Sequence, residues 1–282
     1  MKKISLVLVI VLISGWLQGQ APFPTAEEIK QFTGSTTCVV LEDNPFSQYN
    51  PFIRDAVQKY WKVTPFQIIN RNDFDQKRKD PGYSFVVLTE TDFDRDKSGS
   101  VFTFINLLQG KNVSKLEEMP EICAIPLAFS GEEDIEYAFK LGAILSFMQN
   151  HARMIAEDPS LTGRKYLKYY NKFVPEVVNK TILIKEGDLD PAIATIEKVK
   201  AVYPHKIEIV DEEAIVKAIT EKSPNTVILH KVGPVGEKKN GYCFKMLIGA
   251  DDANMYYYDQ HLIDKKNPNG LLISDLKRLA RF

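Results

Sequence analysis

The sequence predicts an α/β protein made of two tandem βαβαβββ-type three-layer units with mixed sheets, joined by a helical linker. Three observations carry this reading. Between Lys180 and His261, segments of strand-like and helix-like periodicity alternate and then give way to strands alone. An earlier stretch, Thr36 to about Leu127, repeats that order with matching intervals. The interval from Ile68 to Val86 equals that from Ile209 to Val227, and Val86 to Phe104 exceeds Val227 to Phe244 by a single residue. Between the copies, Ala138, Leu141, Leu145, Met148, Ala152 and Ile155 recur at helical spacing, with Tyr137, Ile144 and His151 widening the apolar face.

Taken in order, Thr25-Ala-Glu-Glu28 fits a capping box that opens a short helix to Phe32. Thr36 to Leu41 reads as a β-branched strand covered on both faces. A polar loop, Glu42 to Pro51, leads to a helix ending near Trp61. Pro65 to Ile69 is the second strand, Asn72-Asp73 caps a short helix, and Tyr83 to Thr89 is the third strand. The central helix spans Glu132 to Ala156 and stops at Asp158-Pro159, where the residue before proline is pushed out of the helical region. A second helix is expected over Leu161 to Phe173. In the second copy, Thr181 to Ile184 is a strand and Asp190-Pro191 opens a helix through Val202. His205 to Val210 alternates as a strand, Asp211 caps a helix, and Thr226 to Leu229 is apolar again. Two strands, Gly241 to Ala250 and Asn254 to His261, follow, and Ser274-Asp275 caps a basic helix running to Phe282. The expected domains are therefore 1–21, a signal peptide; 22–130, the first unit; 131–178, the helical connector; and 179–282, the second unit.

The amino-terminal assignment rests on charge and length. Lys2 and Lys3 precede an apolar core from Ile4 to about Trp16, followed by Leu17-Gln-Gly-Gln-Ala21, the three-part form of a secretory signal. That core is shorter than the ~20 residues needed to span a bilayer, so no stable membrane insertion is expected. No cysteine follows it, so it carries no lipid-anchor signal. Export to the periplasm or beyond is the expected address. The chain of 282 residues is 44% apolar and 26% charged, with a net charge of −1, which grows by two negative units once Lys2 and Lys3 are removed. Such a balance implies no nucleic-acid partner. Cys38, Cys123 and Cys243 each lie in an apolar strand-like run and are expected to be small buried residues, with a Cys38–Cys123 bridge as the alternative.

Little in the sequence points to catalysis. The turns after the leading strands, Glu42-Asp-Asn-Pro45 and Lys185-Glu-Gly-Asp188, place acids where a phosphate site needs glycines and donors. No Gly-x-Ser-x-Gly, His-Glu-x-x-His or Cys-x-x-Cys motif occurs, and no cofactor is expected. Asp94, Asp96, Ser98 and Gly99 imitate the opening of a calcium loop. Ile105 stands where the closing bidentate acid belongs, however, and a hairpin turn explains the same residues. His230 and His261 lie in the last strands of the second copy, near enough in sequence order to approach each other or Asp259. Tyr256, Tyr257 and Tyr258 offer aromatic area on both faces of their strand, and they are the candidate partner-binding residues.

The ordering of the second copy, ending in Tyr242-Cys-Phe-Lys-Met-Leu-Ile-Gly-Ala-Asp-Asp-Ala-Asn-Met-Tyr-Tyr-Tyr258, resembles bacterial envelope α/β domains. These are the TolB N-terminal domain, the curli-secretion lipoproteins and the outer-membrane lipoprotein activators of peptidoglycan synthases. The resemblance covers the second copy and, more loosely, the first; it leaves the central helices unmatched. Such domains work by binding other envelope proteins, so it implies a non-catalytic binding or assembly role toward an envelope protein or cell-wall component. Two alternatives stay open: a hydrolase or glycan-processing enzyme using Glu42, Asp43, Glu186 and Asp188, and a small-ligand binder with its pocket between the two units.

Overall fold

The computed structural model describes residues 21–163, 166–235 and 240–282, so the expected signal peptide falls, apart from Ala21, outside the described residues. Thr25 and Glu28 form the reciprocal capping box that opens α1 (Ala26–Gly34). The first unit continues with β1 (Thr36–Val40), α2 (Tyr49–Tyr60), β2 (Phe66–Ile69), α3 (Arg71–Lys77), β3 (Tyr83–Asp92), β4 (Val101–Gln109) and β5 (Glu121–Phe129). Then come α4 (Ile135–Ala138), α5 (Leu141–Glu157) and α6 (Tyr166–Tyr169), the last running into a 3₁₀ stretch over Tyr170–Asn179. The second unit holds β6 (Thr181–Lys185), α7 (Ile196–Val202), β7 (Ile207–Val210), α8 (Glu212–Glu221), β8 (Thr226–Val232), β9 (Tyr242–Gly249) and β10 (Met255–Leu262), and α9 (Ile273–Leu279) closes the chain.

The two units have one topology. In the first sheet the order is β2-β1-β3-β4-β5, and in the second it is β7-β6-β8-β9-β10. The leading strand of each pairs in parallel with the next two, and the last two strands are antiparallel. Alternation along the strands assigns the faces. On the outer face of the first sheet Cys38, Val40, Phe85 and Val87 pack with Phe74 of α3. Ile182, Ile184, Val227 and Leu229 do the same in the second, under α7, α9 and the 3₁₀ stretch. Val39, Val86, Leu183 and Ile228 point the other way, into a core common to both units.

That common core is built around α5, from which Leu141, Ile144, Leu145, Phe147, Met148, Ala152 and Ile155 are buried. Helical spacing predicted this broad face, but the helix starts later than Glu132, after a break at Phe139–Lys140. Beyond it the sheets meet directly. Phe93 and Phe102 pack on Tyr242 and Phe244 with ring centroids 5.0 and 5.3 Å apart. His230 Nε2 donates to the Pro126 carbonyl at 2.9 Å, leaving its Nδ1 without a hydrogen-bond partner among the described residues. Burial pulls the pKa of His230 down to about 3, so the ring is neutral.

Two other expectations are corrected. The helix foreseen over Leu161 to Phe173 is one turn of α-helix followed by 3₁₀ structure; Pro175 lies inside that stretch and has no amide to donate. Asp190-Pro191 opens only a 3₁₀ turn, and α7 is capped separately by Thr195.

The irregular segment has a task that its periodicity hides. Tyr166 Oη donates to the Ala124 carbonyl at 2.9 Å and accepts from the Ala124 amide at 2.5 Å, occupying the free side of β5. Asn171 does the same to β10, donating to the Tyr258 carbonyl at 2.9 Å and accepting from its amide at 2.7 Å. An unpaired strand edge invites pairing with another chain, and here one connector closes both long edges with side chains. The opposite edges, β2 and β7, are only four residues long each.

Glu121 sits at the start of β5, where burial lifts its carboxyl to about 7. The folded protein therefore holds a proton there that the unfolded chain releases near its ordinary pKa of about 4.3, and folding is penalised as pH climbs between the two values. Glu121→Gln is expected to gain stability relative to the wild type as pH rises from about 5 to about 7, measured by urea unfolding at both ends of that window. A pH-independent difference would contradict it.

Candidate functional site

Tyr256, Tyr257 and Tyr258 lie inside the protein, 3%, 0% and 7% exposed. A β-bulge between Met255 and Tyr257 turns Tyr256 and Tyr257 to the outer core and Tyr258 to the common core, so both faces are aromatic and both are covered. Their hydroxyls are engaged by Asp252, Asp275 and Gln260. The strand thus presents no aromatic surface to a partner. What covers it, α9 and the 3₁₀ stretch, carries no periodicity that ties it to this strand in sequence.

The other sequence candidates disperse as well. His261 donates to the Pro268 carbonyl at 3.0 Å, far from the Pro126 contact of His230 along the chain. Asp94, Asp96, Ser98 and Gly99 form the β3–β4 hairpin loop, with Gly99 at φ 67. All three cysteines are buried free thiols, so the alternative Cys38–Cys123 bridge is absent.

The loop acids divide between the units. Asp188, buried, sits 3.6 Å from Lys140 and 3.5 Å from Lys231, so its charge is spent on neutralising lysines. Glu186 is exposed. Burial raises the Glu42 carboxyl; Arg71 works against the shift, and Asp43, Asp134 and Glu90 add to it. Asp134 itself is occupied structurally. It accepts from Ser47 Oγ (3.1 Å) and the Tyr49 amide (2.9 Å), which caps α2 where Gln48 makes no capping bond.

The connector between β5 and α5 is therefore the place where the units converge. Asp134 holds the loop after β1, Lys140 reaches the loop after β6, and Glu136 binds Lys185 at 2.6 Å. Lys185 also reaches Glu212 of α8 at 2.5 Å; burial opposes its charge, but these two bonds outweigh it and hold its pKa above the ordinary lysine value. This is the carboxyl-terminal side of the parallel strands in both sheets, the side on which open α/β sheets place their ligands.

A furrow between α2 and α8 starts on this side and runs back toward the amino-terminal ends of the parallel strands. Its first part is a groove of about 420 Å³ with Phe52 on one wall, Ile135 and Phe139 below, and Val216 on the other wall. Ile135 and Val216 are 44% and 40% exposed, two of the few large apolar side chains open to solvent. Glu212, Glu213 and Glu221 rim the groove, with Lys217 the one cation among the rim residues described. The second part, near the ends of the same helices, is a polar pocket of about 250 Å³. Periodicity alone does not reveal either: Val216 reads as an ordinary helix residue, and Ile135 as part of a longer buried helix.

No family model matches the chain, and neither a curated protein nor a solved structure matches it. No group of three or more His, Cys, Asp or Glu suited to a metal occurs among the described residues, and none of their helices is long and apolar enough to cross a membrane.

Proposed function

We propose that this protein is a non-catalytic binding component of the bacterial cell envelope, exported by its amino-terminal signal, and that it takes an apolar, basic-flanked segment of another envelope protein into the groove between α2 and α8. The observation that carries this reading is the groove itself, an apolar floor open to water and rimmed by Glu213 and Glu221, with Glu212 beside them already paired to Lys185. Exposed apolar area bordered by polar residues marks contact sites, and the acidic rim favours a partner whose flanks are basic. The second-copy resemblance to envelope domains that act by binding points the same way.

A short synthetic amphipathic helix with a leucine face and a lysine face is expected to bind the purified protein, with affinity falling as salt rises. Its glutamate counterpart is expected not to bind. Val216→Lys, a tolerated residue on an exposed helix position, is expected to weaken binding of the lysine peptide roughly tenfold, or about 1.4 kcal/mol. Equal binding of both peptides, or indifference to Val216→Lys, would overturn the reading.

A further inference from the structure

The second part of the furrow is built differently from the first. Its walls come from both units, and adjacent residues of α5 hold them. Gln149, buried, accepts from the Lys62 and Val63 amides at 2.5 and 3.2 Å and donates to the Tyr60 carbonyl at 3.0 Å, which fixes the turn after α2. Asn150 donates to the Asp252 carbonyl at 2.8 Å and fixes the β9–β10 turn. The cavity between these pinned walls is therefore pre-formed, and ligand binding there requires no ordering of either wall.

Its charges are unequal. Lys62, Arg153 and Lys222 line the pocket, and none has an ion-pair partner among the described residues; Lys62 and Arg153 have only the Gln58 carbonyl (3.4 Å) and Asn150 Oδ1 (3.2 Å). The two acids on the same walls are already engaged. Asp251 accepts from the Asn225 amide at 3.0 Å, while Asp252 takes the Asn254 amide at 2.9 Å, the Tyr256 hydroxyl, and an ion pair with Lys180 at 3.7 Å. Lys180 meets the charge of Asp252, so three exposed cations share the cavity with the one remaining carboxylate charge, that of Asp251, and the lining is net positive. Ser146 and Tyr60 add hydroxyl groups to the lining.

We propose that this pocket binds a small hydroxylated anion of single-sugar size, with its oxyanion on Lys62, Arg153 and Lys222. A phosphorylated sugar and a sugar acid share that chemistry. The cavity lies below the usual range for drug-sized ligands, which limits the occupant to one such unit. A second feature marks the same place. Lys222 and Ala253, both lining the pocket, hold positive φ (52 and 54): Lys222 closes α8 in the left-handed conformation usually taken by glycine, and Ala253 sits in the β9–β10 turn that Asn150 pins.

The inference stands apart from the peptide groove, and its test uses different ligands. The purified protein is titrated by calorimetry with glucose 6-phosphate, glucuronate and, as neutral control, glucose. Saturable binding of at least one of the two anions and none of glucose is expected; whichever anion binds tells a phosphorylated ligand from a carboxylated one. Lys222→Gly relieves the strained backbone, so the ligand-free variant is expected to melt roughly 2–4 °C higher while binding the anion about tenfold more weakly. A variant that fails to bind because it is damaged is excluded by that rise in Tm, and Arg153→Ala provides an independent second loss. Absence of saturable binding by both anions, glucose binding as tightly as they do, or unchanged anion affinity in both Lys222→Gly and Arg153→Ala would overturn the proposal.

Discussion

Asp275→Ala is expected to destabilise the protein by about 3–5 kcal/mol, the usual cost of stranding a buried charge. Lys245 is completely buried within β9, and its ammonium meets Asp275 at 2.6 Å; Asp259, at 3.4 Å, is a second and longer contact. The same carboxylate accepts from Tyr257 Oη at 2.6 Å and from the Leu272 amide at 2.8 Å, where it caps α9. One truncation therefore strips a charge, a buried hydroxyl and a helix end together. Urea unfolding at neutral pH measures the loss through the midpoint at constant slope. A loss below about 1 kcal/mol would mean that Lys245 escapes to solvent when its partner is removed, and that the outer core of the second unit is looser than described.

The second large effect concerns the strand edges. Tyr166→Phe removes both hydrogen bonds on Ala124, and Asn171→Ala removes both on Tyr258. Each change leaves a backbone donor and acceptor without partners at an edge, which costs roughly 1–3 kcal/mol for each unsatisfied buried group. Hydrogen exchange at the Ala124 amide is expected to accelerate in the first variant and at the Tyr258 amide in the second, each without change at the other. The double variant is expected to self-associate, because its two longest edges then offer free pairing positions. Unchanged exchange at both amides would contradict the assignment of this connector as an edge cover.

What the sequence discloses here is what periodicity can encode. The paired intervals from Ile68 to Val86 and from Ile209 to Val227 place equivalent strands in two sheets of one order, because each interval spans a helix and the crossover from the edge strand to the far side of the leading strand. The Thr25–Glu28 capping box is local, and its residues suffice to announce it. Tertiary covering is not local. Tyr256, Tyr257 and Tyr258 look alike on a chain whether they face water or a helix, and only the packing of α9 and the 3₁₀ stretch hides them. The same limit applies to the furrow. Phe52, Ile135 and Val216 are far apart in sequence and come together only because α5 lies between the units and spaces their helices. A partial signal for it is present: the apolar stripe of α5 is wider than packing on one sheet requires, which fits a core shared by two.

The proposed function lies at the seam between two like units. Site-specific photo-crosslinking in living cells tests this most directly, with a benzophenone side chain at Val216 in the groove and, as control, at the exposed Leu262 on β10. A discrete heavier adduct is predicted from Val216 alone, one that weakens when Ile135 is changed to lysine. Adducts of equal yield from both positions, or none from Val216, would contradict the account.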